Sequence, residues 1–428
     1  MHTKAAVLLC IFGAYPLAAA TLPTGPEVVV KSGDHHYQRT PAAAISANGQ
    51  AVVVWADANL GLRGRRVGGP GGIGTELQLV ANLDLPPVPG SARVTDRKDP
   101  VVVFDAAGAT FFVFWTNELA DVRVDYFYEN REVVQQRVFG QRFDLSGQPI
   151  GDEFAVSTAT TGFQSRPQAV RLDCGTNAPA GCADGALVIA WQSDDLGLGS
   201  GPGEGVFARS VDAQGVFSTQ VRLSPPSVAR NVSLAAGDEG NFLAVWDAPN
   251  TLSRGVFARP FNSRLKALNK AALVNQRIAT SQDRPAVAYS AATDQYLTLW
   301  QGKAGTDRYR TFGRSISAAG LPIANQFPVT VGKSEWEVYP TLAPTLDGGF
   351  TAVWLAYDQH FPNAVRGVEL ASDGSRIGGE FDISKNRPGA QARISLAGGP
   401  SGKMLSTYEG YDDRHASSIN LRALERTQ

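Results

Sequence analysis

Residues 284–300 read RPAVAYSAATDQYLTLW, a short apolar segment, a polar turn and a second apolar segment that ends on Trp300. Two such runs around a small polar turn are the pattern of a β-hairpin. Versions of this stretch recur along the chain, with the closing aromatic at Trp55, Trp115, Trp191, Trp246, Trp300 and Trp354, and Tyr408 in a seventh copy. The last three intervals between these aromatics are 54 residues each. A fixed period holding several short strands is the mark of radially repeated sheets rather than of unrelated domains in series. The expected fold is therefore all-β, a seven-bladed β-propeller with four-stranded blades.

Working outward from the hairpin, each copy parses into four strands. Strand A begins after Pro41, Pro100, Pro167, Asn231 (in place of Pro), Pro285 and Pro340, and near Ala392 in the last copy; strand B runs into the aromatic. Strand C is most regular at 137–144 (RVFGQRFD), 205–212 (GVFARSVD) and 255–262 (GVFARPFN), and strand D is short, as in EFAVS at 153–157 and EFDIS at 380–384. The predicted blades are 41–81, 100–158, 167–224, 231–276, 285–331, 340–385 and 391–424. The last copy lacks a strand D, while residues 27–32 (EVVVKS) match that pattern with no blade of their own. An N-terminal strand that completes the last blade would close the ring and remove an exposed sheet edge. Insertions are expected as a Pro-rich linker at 83–90, a long loop at 116–136, a Cys-bounded loop at 174–182 and a Gly-rich loop at 196–205.

With 428 residues, the repeat leaves no room for another folded unit, so residues 21–428 are expected to form a single domain. Lys and Arg number 39 against 40 Asp and Glu, so no global field recruits nucleic acid or an acidic membrane surface. Residues 1–20 read as a secretory signal peptide, with Lys4 before an apolar run and Ala18-Ala19-Ala20 as the cleavage site. Processing would remove Cys10 and leave Cys174 and Cys182, an even pair expected to form a disulfide in an oxidising compartment. No later apolar run approaches the ~18 residues that span a bilayer. A secreted or periplasmic monomer is the expectation.

The run Gly140-Gln141-Arg142-Phe143-Asp144, followed by Gly147-Gln148-Pro149-Ile150-Gly151 and Glu153-Phe154, resembles a repeat of bacterial secreted and cell-surface proteins: YGQRFDxxGxPxGxEF, then QxxP, then GGFxxxW. The resemblance implies export and a propeller-like fold. It implies no particular chemistry and supplies no catalytic residue.

Candidate functional residues fall in the loops on one face, here the top, which carries the B–C loops and the D–A connections. The repeated Trp residues are expected to be core between blades. Trp336 lies outside that position, between Glu335 and Glu337, and could serve as a ligand platform. Acidic residues follow the strand B aromatic (Asp57, Glu118, Asp194, Asp247, Asp358, Glu409) and arginines precede strand A (Arg39, Arg97, Arg166, Arg230, Arg284), which predicts ion pairs between blades. A sharper expectation is that Arg166, Arg230 and Arg284, from consecutive blades, line the central channel and bind an anion, since guanidinium forks match carboxylate and sulfate oxygens. His35, His36, His360 and His415 all belong to top-face loops of blades 1, 6 and 7, beside Asp358, Tyr411, Asp412 and Asp413. Imidazoles near carboxylates could bind a divalent metal or carry protons. No metal-ligand spacing, nucleophile elbow, phosphate loop or sialidase-type S-x-D-x-G-x-T-W turn is present. The leading expectation is an exported, non-catalytic binding propeller that holds a polysaccharide or cell-surface protein on its top face and needs no cofactor. The alternative is a polysaccharide lyase or glycoside hydrolase working at the seam of blades 6, 7 and 1.

Overall fold

The computed structural model describes residues 21–31, 37–68, 72–82, 92–125, 128–175, 182–194, 203–212, 215–305, 308–332, 334–357, 363–384, 391–400, 402–411 and 417–426; for 21–22, 92–95, 121–125, 128–132 and 426 it describes the backbone alone. Among these residues there is no helix. Strand β1 (Thr21–Lys31) stands before seven antiparallel groups. Unit 1 holds β2 (Gln38–Ile45), β3 (Ala51–Asp57), β4 (Gly61–Val67) and β5 (Ile73–Ala81); unit 2 holds β6 (Ala92–Phe104), β7 (Thr110–Asp125), β8 (Tyr128–Asp144) and β9 (Pro149–Ala155). Unit 3 holds β10 (Phe163–Arg171), β11 (Leu187–Asp194), β12 (Gly205–Val211) and β13 (Val221–Arg222); unit 4 holds β14 (Arg230–Ala236), β15 (Phe242–Pro249), β16 (Arg254–Phe261) and β17 (Ala272–Leu273). Unit 5 holds β18 (Gln282–Ser290), β19 (Gln295–Lys303), β20 (Tyr309–Ser317) and β21 (Phe327–Pro328); unit 6 holds β22 (Trp336–Pro344), β23 (Phe350–Tyr357), β24 (Ala364–Leu370) and β25 (Arg376–Asp382). Unit 7 supplies β26 (Gln391–Gly398), β27 (Met404–Tyr411) and β28 (Ser417–Arg426), and its fourth strand is β1, paired to β28 with Val28 opposite Leu421.

The first strands of successive units touch in turn, β2 to β6, β10, β14, β18, β22, β26 and back to β2. Single parallel bridges, Phe163 to Gln136 and Tyr309 to Trp336, join units 2 and 3 and units 5 and 6 into eight-stranded sheets. Second strands are covered on both faces, so they read as continuous apolar runs rather than as an alternation. All six repeated Trp residues and Tyr408 are fully buried between units. The closing strand adds Val30 to the same core, beside Trp55 and Ile419.

Two expectations need correction. The first strands start several residues ahead of the Pro expected at their origin, because the chain is already paired there and bulges just before it. The insertion at 116–136 is not an open loop: β7 and β8 stay paired out to Asp125 opposite Tyr128, and β6 joins them, with Ala92 opposite Asp121. Extending an existing hairpin satisfies backbone groups that a free loop would leave to solvent.

A repeated arginine ties the units together. In β12, Arg209 donates from Nε to the Ser218 carbonyl of its own unit and from Nη1 to the Val156 carbonyl of the preceding one. Arg259 does the same with Asn269 and Leu223, and Arg314 with Ala324 and Val274. One planar fork thus satisfies two sheet-end carbonyls in neighbouring units. The Cys174–Cys182 disulfide adds a further tie: Cys182 Sγ contacts the Glu239 carbonyl in the next unit, and Gly240 leaves room for the bridge.

Candidate anion-binding site

Each first strand carries a bulge at the same height, between Arg39 and Ala42, Lys98 and Val101, Ser165 and Gln168, Arg230 and Ser233, Asp283 and Ala286, Val338 and Thr341, and Ala392 and Ile394. The bulged residue adopts a left-handed backbone in every unit: Thr40 (φ 48°), Asp99 (52°), Arg166 (54°), Asn231 (51°), Arg284 (52°), Tyr339 (54°) and Arg393 (49°). None of them is glycine, so each copy holds a conformation that costs roughly 1–2 kcal/mol. In five units the next residue is Pro, which has no N–H to leave unpaired at a bulge.

The bulges are clamped from behind. The backbone N–H of Arg166 donates to Thr116 Oγ1 (3.1 Å), that of Asn231 to Gln192 Oε1 (3.1 Å), that of Arg284 to Asp247 Oδ1 (3.1 Å) and that of Tyr339 to Gln301 Oε1 (3.1 Å). Thr40 N–H is likewise held by Glu409 Oε1. Every acceptor directly follows the buried aromatic of the preceding unit. After Trp55 and Trp354 come Ala56 and Leu355, whose side chains have no acceptor to offer the bulges of units 2 and 7.

The seven bulge residues encircle a cavity of about 290 Å³ at one end of the ring of first strands. Three guanidiniums, Arg166, Arg284 and Arg393, stand there against one carboxylate, Asp99. Burial lowers the Arg166 pKa and the charges of Arg284 and Arg393 lower it further, while Asp99 and Tyr339 oppose the shift. Arg166 Nη1 donates to Asn231 Oδ1 (2.8 Å), and the Arg284 guanidinium lies 4.5 Å over the Tyr339 ring. Like charges gathered in a partly desolvated pocket favour an anion that can sit between them.

Of the arginines expected here, Arg166 and Arg284 line the cavity and Arg230 does not. Asn231 is the bulge residue of unit 4, not the equivalent of Pro, which is Val232; Arg230 therefore falls one residue early and pairs with Asp194 (3.0 Å). Arg393 was missed because Ile394 stands where five other units have Pro. The usable signal was spacing: in six units the bulge lies fifteen or sixteen residues before the buried aromatic, and Arg393 obeys this.

The acidic residues behind the aromatics divide their work. Asp247 accepts from Asn231 Nδ2 (2.7 Å) and Arg254 as well as from the Arg284 backbone, Asp57 accepts from Gln38 Nε2 (2.7 Å), and Glu118 pairs with Lys98 of its own unit. Arg39 pairs with Asp96 of the next unit (2.9 Å), whereas Arg97 pairs within unit 2 with Glu153 (2.9 Å). Of the expected proton carriers, Tyr411 donates to Glu409 Oε2 (2.9 Å), and both its burial and that carboxylate raise its pKa. It belongs to the clamp of the Thr40 bulge. Trp336 is 48% exposed at the head of β22, where Tyr357 lies opposite it with ring centroids 6.5 Å apart. His35, His36, Asp358, His360, Asp412, Asp413 and His415 lie outside the described residues. Among the described residues, no group of three or more His, Cys, Asp or Glu is placed to hold a metal ion.

No protein-family model and no curated protein matches this chain. Solved structures do. A protein of unknown function from Dyadobacter fermentans is 11% identical with TM-score 0.55, covering 96% of this chain and 100% of its own. A polysaccharide lyase described as an ulvan lyase is 12% identical with TM-score 0.59, covering 92% and 95%. The BP39L lectin of Burkholderia pseudomallei is 10% identical with TM-score 0.59, covering 92% and 96%. At such identities the likeness concerns the fold alone, which is all-β and propeller-like.

Proposed function

We propose that this chain is an exported, closed seven-bladed β-propeller that binds, without cleaving, an anionic polysaccharide at the cationic mouth of its central ring. The observation that carries the reading is the convergence of Arg166, Arg284 and Arg393 on one concave cavity with Asp99 as the single carboxylate among the seven bulge residues. A concave pocket of this size suits a sugar or its acidic substituent better than the flat face of a protein partner. The disulfide supports export, as does the secretory pattern of the first twenty residues. The solved ulvan lyase and lectin of similar fold make carbohydrate the first class of ligand to test. A lyase or hydrolase reading has less behind it: the one expected proton carrier among the described residues, Tyr411, donates to Glu409.

The test is retention of the purified protein on matched neutral and anionic polysaccharides, with newly formed chain ends assayed in the same mixtures. Retention by the anionic set alone, without new ends, is expected. Loss of one charge-assisted hydrogen bond costs about 1.5–3 kcal/mol, so Arg284→Ala and Arg393→Ala should each weaken binding about tenfold or more. Equal retention of wild type and the Arg284→Ala/Arg393→Ala double variant would overturn the site, and new chain ends would overturn the non-catalytic reading.

A further inference from the structure

The mouth is cationic but not uniform around its circumference. Reading through units 5, 6 and 7, the bulge residues are Arg284, Tyr339 and Arg393; opposite them, in units 2 and 3, they are Asp99 and Arg166. Tyr339 is the one aromatic among the seven, it is 36% exposed, the Arg284 guanidinium lies 4.5 Å over its ring, and Arg393 is the bulge residue of the next unit. An inorganic anion would need only the guanidiniums. A flat, partly apolar ring flanked by two cations suits a ligand with an apolar face and an acidic substituent on the same ring.

The aromatic surface continues away from the mouth in one direction. Three residues back along β22, about 10 Å at strand spacing, stands the half-exposed Trp336. Tyr357 lies opposite it in register, and Tyr309 of unit 5 is bridged to it across the seam between units 5 and 6. Burial raises the Tyr357 pKa to about 12, and the charges of Arg393 and Arg284 act against that rise, so this phenol lies within the field of the mouth. Across the ring the bulge residues are Asp99 and Arg166, neither of them aromatic, so that side offers a departing chain no ring to pack on.

Building on the anion-binding reading above, we infer that the mouth receives the terminal acidic sugar of a glycan, its ring packed against the part of Tyr339 that Arg284 leaves exposed and its acid group between Arg284 and Arg393, and that the chain leaves over Trp336 and Tyr357 along the seam of units 5 and 6. The ligand class is a chain-end pyranose bearing one carboxylate or sulfate. Recognition is directional because, among the seven bulge residues, the aromatic one lies on one side of the ring, next to Trp336 and Tyr357 of its own unit.

The experiment is calorimetric titration of the whole mature protein with sodium sulfate, methyl glucoside, glucuronate, glucose 6-sulfate, and di- and trisaccharides ending in glucuronate. A matched trisaccharide with its acid group only on the middle residue completes the set. Covering apolar area on one exposed aromatic is worth about tenfold in affinity. An acidic monosaccharide should therefore bind about tenfold more tightly than sulfate, methyl glucoside should not bind, and the end-acid trisaccharide should gain about tenfold over the monosaccharide. Glucuronate against glucose 6-sulfate decides which acid the mouth prefers. Trp336→Ala, at an exposed position, should cancel the gain of the trisaccharide and leave the monosaccharide unchanged. A trisaccharide no tighter than the monosaccharide, or a silent Trp336→Ala, overturns the aromatic path while leaving the mouth intact. Equal binding of the middle-acid trisaccharide overturns chain-end recognition. If no acidic probe binds, or if one binds and Arg284→Ala leaves it unchanged, it is the underlying anion-binding reading that fails.

Discussion

Replacing Arg393 separates what the ring of bulges costs from what it does. Arg393 sits at φ 49° in unit 7, where the residue behind the preceding aromatic is Leu355 and offers no side-chain acceptor to its N–H. Arg393→Ala and Arg393→Gly both delete one of three guanidiniums around the cavity, but only the glycine relieves the left-handed backbone. That relief is about 1–2 kcal/mol, offset by about 0.5–1 kcal/mol of extra entropy in the unfolded chain. Arg393→Gly should thus be more stable than Arg393→Ala by about 0.5–1 kcal/mol. Both should also be spared the repulsion that Arg393 exerts on Arg166. Affinity for an acidic glycan should fall about tenfold to a hundredfold in both, in keeping with the loss of one charge-assisted bond. Equilibrium urea unfolding followed by Trp fluorescence gives the first comparison, and calorimetric titration the second. If Gly is no more stable than Ala, the bulge carries no strain and the view that the fold sacrifices stability to present this side chain is wrong. If affinity does not change, Arg393 is not part of the site.

Arg259→Ala removes donors to two carbonyls in adjacent units and should cost about 2–4 kcal/mol in urea unfolding. Arg259→Lys cannot bridge both and should recover less than half of this; full recovery by Lys would show that the fork is not the reason for Arg. Burial raises the Glu409 pKa, although Thr40 N–H, the Tyr411 hydroxyl, Arg393 and Arg39 oppose the shift. The native protein then holds that proton to higher pH than the unfolded chain does, so stability falls as pH rises from the unfolded carboxyl value of about 4.3 toward the raised native one. Glu409→Gln should accordingly raise the melting temperature at pH 7, and the gain should vanish below about pH 4; a gain of equal size at both pH values would contradict this. Replacing Cys174 and Cys182 together by Ser frees a loop of sequence separation 8 and should cost about 2–3 kcal/mol, read as the same loss on adding reductant to wild type; insensitivity to reductant would mean that the loop is held by its other contacts alone.

Much of the fold was legible because burial imposes a period. A large aromatic is required at the same point of every second strand, where both faces are covered, so Trp55 through Trp354 and Tyr408 mark the units in the bare sequence. The unmatched strand near Val28 was legible for a related reason, since a sheet missing its outer strand exposes an edge. The paired cysteines were legible once the expected signal peptide set Cys10 aside and left an even pair.

The site was legible only in part, and the reason is local. A bulge shifts register by one residue, and one residue decides whether a side chain enters the cavity or turns to a neighbour. Arg166 and Arg284 precede a Pro that marks the bulge, so their position could be counted. In unit 4 the bulge is Asn231, and Arg230 beside it is drawn to Asp194 instead. In unit 7 no Pro marks Arg393. Sequence periodicity thus determined how many units there are and which aromatics they bury, because those depend on side-chain burial repeated many times. Which three arginines share one cavity, and that Tyr339 stands between two of them, was decided by the tertiary structure, because it depends on where seven separate strands each break register around a common axis.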